Sequence, residues 1–198
     1  IQSRLANISG ENIQFDPANS NVWVKELLFS ANLIAIEKED PCTLPKACKN
    51  SVEIEGMKNC HIRDAVAECN FLAWLDKEVD SGNLHDEGVL ADTLDSFRDE
   101  QDGFRGISFG TISAAGSNAA MCHYSHKNYD TPGKLTMGTV YLVDSGGQYW
   151  DGTTDITRTV AIGDHDEFMK KAFTLVLKGH ISLGSAQFPE GIAGQHLD

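Results

Sequence analysis

From Asn50 to Val79, Ile54, Met57, His61, Ala65, Cys69, Leu72, Leu75 and Val79 recur at three- and four-residue steps. That period predicts one long amphipathic helix. Asn50 followed by Glu53 predicts a reciprocal N-terminal cap, and Asp80-Ser-Gly-Asn ends the helix. A second, polar helix is expected across 86–101. The pattern then changes: ISFGTISAAG (107–116), AAMCHY (119–124), TVYLVD (139–144) and DITRTVAIG (155–163) read as short strands. Gly116-Ser-Asn has turn composition, and 125–138, with Thr131-Pro-Gly, reads as loop. The Asp-rich DHDE opens a last helix with Phe168, Ala172, Leu175, Leu183 and Ala186 on one stripe, ending near Phe188-Pro. Acidic residues in its first turn suit the positive end of a helix dipole.

Residues 1–40 are mixed, with a short helix or strand leading into LIAI. DPCTLPK (40–46) holds two prolines, which should break any periodic element and mark a boundary. The order of elements places the chain in the mixed α/β or α+β class.

Composition narrows the function. With 41% apolar residues and 8% aromatics in 198 residues, the chain can build a real core. A net charge of -13 argues against nucleic acid or an anionic membrane surface as partner, since both require clustered Lys and Arg. Cys42, Cys48, Cys60, Cys69 and Cys122 form an odd set without a Cys-x-x-Cys pair, which reads as reduced thiols in the cytoplasm. No segment has the length and apolarity of a membrane span or the form of a secretion signal. A chain that opens on Ile1 and stops at QHLD reads as a piece of a longer protein.

The candidate chemistry lies in DSGGQYWDGTTDITRT (144–159), which packs Asp144, Asp151 and Asp155 between two apolar runs. Eleven residues separate Asp144 from Asp155, about 36 Å and opposite faces on a straight strand. They meet only if the chain reverses, and Gly146, Gly147 and the pair Asp151-Gly152 supply the backbone for a reversal about Tyr149–Trp150. Two carboxylates about 4 Å apart repel by about 4 kcal/mol at an effective dielectric near 20. Such a pair shares a proton, flanks a scissile bond or holds a hard cation. The alternative is a polar hairpin whose Asp and Thr side chains only satisfy turn backbone.

YLVDSGGQYWDGTTDITRT closely resembles the first metal-binding segment of the Xaa-Pro aminopeptidases (aminopeptidase P), of the pita-bread metallopeptidase group. DPCTLPKACKNSVEIEGM (40–57), HIRDAVAECNFLAWLDKEV (61–79) and FGTISAAGSNAAMCHYSH (109–126) fit the same family, in its order. The resemblance covers about residues 40–180. It implies that 46–198 is the first half of a pita-bread catalytic domain and that 1–45 ends a preceding creatinase-like domain. It implies metal-ligating roles for Asp144 and Asp155, the latter bridging two ions, and supporting roles for Asp151 and Thr157. His123 corresponds to the family histidine that faces substrate and stabilises the tetrahedral intermediate. Two divalent ions (Mn²⁺ is usual, Zn²⁺ or Co²⁺ possible) would hold a hydroxide that attacks the peptide bond before proline. The implied partners are peptides with proline in second position, and a second copy of the chain in a homodimer.

The chain departs from the family after His123-Tyr124, where Ser125-His126-Lys127-Asn128 stands; His126 is expected at the surface. The family completes its site with a histidine and two glutamates from the second half of the domain. His180 and His196 match none of these. Two alternatives stand beside the enzyme: a metal-free pita-bread relative that binds peptides or proteins, and a prolidase-type dipeptidase.

Overall fold

The computed structural model describes residues 2–5, 7–8 and 12–197. It falls into two compact units, Ile1–Glu55 and Gly56–Asp198. Its elements are α1 (Gln2–Leu5), β1 (Asn12–Phe15), α2 (Val22–Ser30), β2 (Ile34–Glu37), α3 (Thr43–Ala47), α4 (Ser51–Asp80) and α5 (Glu87–Asp99). Then follow β3 (Phe104–Ile107), β4 (Ile112–Ala115), β5 (Thr139–Ser145), β6 (Gly147–Tyr149), β7 (Ile156–Ile162) and α6 (Glu167–Ser185). Among the described residues, no helix is long and apolar enough to cross a membrane.

In the first unit β1 and β2 pair in parallel, with α2 as the connection between them. Phe15, Leu28 and Leu33 form its small core. The prolines of DPCTLPK do not prevent a short helix, α3. Pro41 lies before it and Pro45 is its third residue, where a missing N–H leaves no helical bond unmade.

Helix α4 opens with the expected reciprocal cap: Glu53 N donates to Asn50 Oδ1 at 3.0 Å, and Asn50 N to Glu53 Oε2 at 2.8 Å. Its buried face is a correction to the apolar stripe. Gly56, Cys60, Asp64, Ala67, Glu68, Phe71 and Leu75 turn inward, while Ile54, His61, Ala65 and Cys69 are exposed. The helix is rotated because two of its acids, Asp64 and Glu68, meet buried Arg98 of α5. Asp86 caps α5, accepting from Gly88 N and Val89 N.

Three antiparallel strands lie in the order β4-β5-β7, and β3 pairs separately with β6. Phe71, Leu75, Leu90 and Leu94 of the two helices pack on Tyr141, Val143 and Ile162. Side chains alternate along β5, so Tyr141, Val143 and Ser145 are buried while Val140, Leu142 and Asp144 take the opposite face. The stretch AAMCHY is not a strand. A 3₁₀ turn spans Gly116–Ala120, and His123 takes a left-handed backbone with φ of 54°. Asp166 caps α6 by accepting from Met169 N, and no residue of α6 is buried.

Candidate metal centre

Asp144 sits near the end of β5, directly opposite Thr157 of β7 and Ile112 of β4. Asp155 immediately precedes β7, two residues before Thr157, so it lies at the end of the strand that pairs with Asp144. The chain reverses where the sequence suggests. Tyr149 N donates to Gly152 O at 2.8 Å, Gln148 bridges Thr153, and Thr154 N donates to Gly147 O at 2.9 Å. Gly152 is required for packing rather than for φ: a Cβ there would meet Cys60 Sγ at 2.5 Å. Asp151 ion-pairs with Arg63 of α4, which also lies 5.3 Å over the Tyr149 ring. Its carboxylate ties the turn to the helix.

Asp155 is exposed, whereas Asp144 is half-buried and its Oδ1 is buried with no hydrogen-bond partner. A buried carboxylate oxygen without a donor is costly, and a hard cation with oxygen preference would satisfy it. That one oxygen therefore suits a divalent metal. Among the described residues, no three His, Cys, Asp or Glu side chains gather as a metal-holding group.

His123 is exposed. A non-glycine residue at positive φ costs on the order of 1–3 kcal/mol and persists where the surroundings over-determine it. Here they do, because the next residue, Tyr124, is buried and held by Glu87. Glu87 Oε1 accepts from Ala115 N and Asn118 Nδ2, each at 2.8 Å. Its Oε2 accepts from Tyr124 Oη at 2.6 Å and Gly133 N at 2.7 Å. Burial alone would raise the Glu87 pKa, but the donors of Ala115, Tyr124, Asn118 and Gly133 outweigh it and hold the carboxyl below the usual range. His126, expected at the surface, is buried beneath α5, with its ring near Gly88. The short 3₁₀ turn His126–Asn128 folds it inward.

A second buried cluster fixes β6, which follows Asp144 by three residues. Arg98 Nε donates to Asp64 Oδ1 at 2.8 Å, and an Arg98 Nη to Asp64 Oδ2 at 3.3 Å and to Glu68 Oε2 at 3.4 Å. Tyr149 Oη also donates to Asp64 Oδ1, at 2.9 Å. Burial raises the Glu68 pKa, with Arg98 opposing. Neither Glu87 nor this cluster was visible in the sequence, since an acid in a helix's first turn or on a helix flank ordinarily marks a solvated face. Beside the candidate site, Val140, Thr157 and Thr159 of the sheet face Phe168, Met169, Phe173, Val176 and His180 of α6 across an apolar groove.

The family model of metallopeptidase family M24 matches residues 55–198. The Xaa-Pro aminopeptidase ApepP of Drosophila melanogaster is 49% identical over 163 residues, covering 82% of this chain and 26% of the relative. A probable Xaa-Pro aminopeptidase P of Talaromyces marneffei is 44% identical, covering 96% of this chain and 29% of its own. The chain thus spans under a third of the length of these curated relatives. Among solved structures, the X-prolyl aminopeptidase of Caenorhabditis elegans, described as a cytosolic enzyme with a di-nuclear active site, superposes with a TM-score of 0.73 at 32% identity. That match covers 94% of this chain and 38% of the other.

Proposed function

The chain belongs to metallopeptidase family M24, and on that premise we propose that it supplies Asp144, Asp155 and His123 to an aminopeptidase that releases the first residue of peptides with proline second. The observation that carries the reading is the unpartnered Asp144 Oδ1, on the strand that pairs with β7 just after Asp155. These two carboxylates would hold two divalent ions, Mn²⁺ in our reading. Bound there, the ions would supply the positive charge that polarises a carbonyl and acidifies water. The chain's own residues do the rest. Asp144 and Asp155 fix charge at one wall of the cleft. His123, turned outward by its left-handed backbone, would donate a hydrogen bond to the scissile carbonyl oxygen as negative charge develops there.

We read residues 46–198 as the first half of a pita-bread catalytic domain and 1–45 as the end of a preceding one. Five free cysteines and the cytosolic Caenorhabditis relative favour the cytoplasm, and a homodimer is part of the same proposal. Two carboxylates give a hard dication too few oxygens. The 198-residue chain alone is therefore proposed to bind Mn²⁺ weakly and to lack turnover.

Hydrolysis assays on the full-length gene product with Mn²⁺ test this reading. A tripeptide with proline second should be cleaved, and the same peptide with alanine second should not. Cleavage of Xaa-Pro dipeptides alone would replace the reading with a prolidase-type enzyme. Peptide binding without any cleavage would replace it with a binding module.

A further inference from the structure

We propose that Glu87 is a positioning residue for His123: its buried carboxylate clasps both ends of the 115–133 segment and so fixes where the imidazole points. The proposal rests on reading His123 as the substrate-facing group. Glu87 is fully buried, and its four donors come from positions 115, 118, 124 and 133, which bracket His123 on both sides. The Glu87 backbone N also donates to Gly133 O at 2.9 Å. Approach is so close that a Cβ at Gly133 would lie 2.6 Å from Glu87 Oε1. Tyr124 is doubly held, since Asn118 Nδ2 donates to its hydroxyl at 3.0 Å and its ring stacks on Tyr129 at 5.7 Å. With Tyr124 locked inward, the left-handed turn at His123 is the conformation that leaves the imidazole outside.

The chemistry of the clasp makes it selective for a carboxylate. Ala115 and Gly133 offer backbone N–H groups that can only donate, one to each oxygen. A glutamine at this position must turn its NH₂ toward one of them, so one buried donor faces another donor. Isosteric Glu87→Gln therefore opens the clasp without changing its size. Tyr124→Phe removes one donor and leaves the backbone pair intact, a milder lesion.

The test is steady-state hydrolysis of a tripeptide with proline second by the full-length, Mn²⁺-loaded gene product, with bound metal and amide hydrogen exchange across 115–133 measured on the same samples. Glu87→Gln should lower kcat about tenfold or more with KM within about twofold, unchanged metal content and faster exchange in 115–133. Tyr124→Phe should move kcat and exchange in the same direction by a smaller factor. Wild-type kcat in folded, metal-loaded Glu87→Gln overturns the proposal, as does a loss that only tracks lost metal. If Glu87→Gln does not fold, Tyr124→Phe decides, and an unchanged kcat there is the overturning result. His123→Ala run alongside separates the two ideas. Wild-type kcat in His123→Ala removes the reading of His123 and the clasp's purpose together. Lost kcat in His123→Ala with none lost in Glu87→Gln removes the clasp alone.

Discussion

Asp144 stands directly opposite Thr157 on the antiparallel neighbours β5 and β7, and Thr157 comes two residues after Asp155 in the chain. A carboxylate with a buried oxygen that no protein donor meets does not serve the stability of the fold. In the metal-free 198-residue chain, Asp144→Asn should therefore be neutral or stabilising, by up to about 1 kcal/mol. Urea unfolding of the two chains measures it. A destabilisation above about 2 kcal/mol would mean that the carboxylate serves the fold.

The Arg98 cluster carries the opposite expectation. Arg98 and Asp64 are fully buried, and removing the cation leaves Asp64 and Glu68 facing one another without it. Arg98→Met should cost about 3–5 kcal/mol. The shift in urea midpoint checks it, and a loss under about 1 kcal/mol would show that the cluster hydrates or rearranges freely.

Acid should weaken the second unit through Glu87. Its folded pKa lies below its unfolded value, which is about 4.3 for glutamate. The unfolded chain then binds more protons in that range, so the contribution is present above about pH 5 and is lost as pH falls through the folded pKa. Glu68, raised by burial, works in the opposite sense, but it is common to wild type and variant. Between about pH 3 and 6, wild type should lose stability more steeply than Glu87→Gln. Parallel curves would contradict the assignment.

Helix α6 predicts self-association of the 198-residue chain. Phe168, Phe173, Leu175, Val176 and Leu177 are all exposed on it, more apolar side chains than one helix of a soluble monomer ordinarily leaves open. Sedimentation equilibrium should show mass rising with concentration. A single monomer mass into the high-micromolar range would sink the expectation.

What could be read from the sequence was local or carried by spacing. The Asn50–Glu53 cap, the bounds of α4 and α5, and the reversal at Tyr149–Gly152 all follow from a few neighbouring residues. What could not be read depends on partners far along the chain. Asp64 and Glu68 turn inward because Arg98 lies 30 and more residues away, and that rotates α4 off its apolar stripe. AAMCHY has the composition of a strand, yet its Tyr124, and Asn118 just before it, bond Glu87 instead of a neighbouring strand. His126 is buried by a turn whose residues are all polar. No apolar period encodes a buried charge.

Manganese titration of the full-length gene product, with turnover of a proline-second tripeptide followed in the same samples, tests the central claim most directly. Wild type should take up two equivalents and cleave the peptide. Asp144→Asn and Asp155→Asn should each lose at least one tight equivalent and lower kcat by about 1,000-fold or more, and the 198-residue chain alone should bind no tighter than about millimolar and show no turnover. Two tight equivalents with near-wild-type turnover in either variant, or turnover by the 198-residue chain alone, would contradict the assignment of these carboxylates as one wall of a two-metal peptidase site.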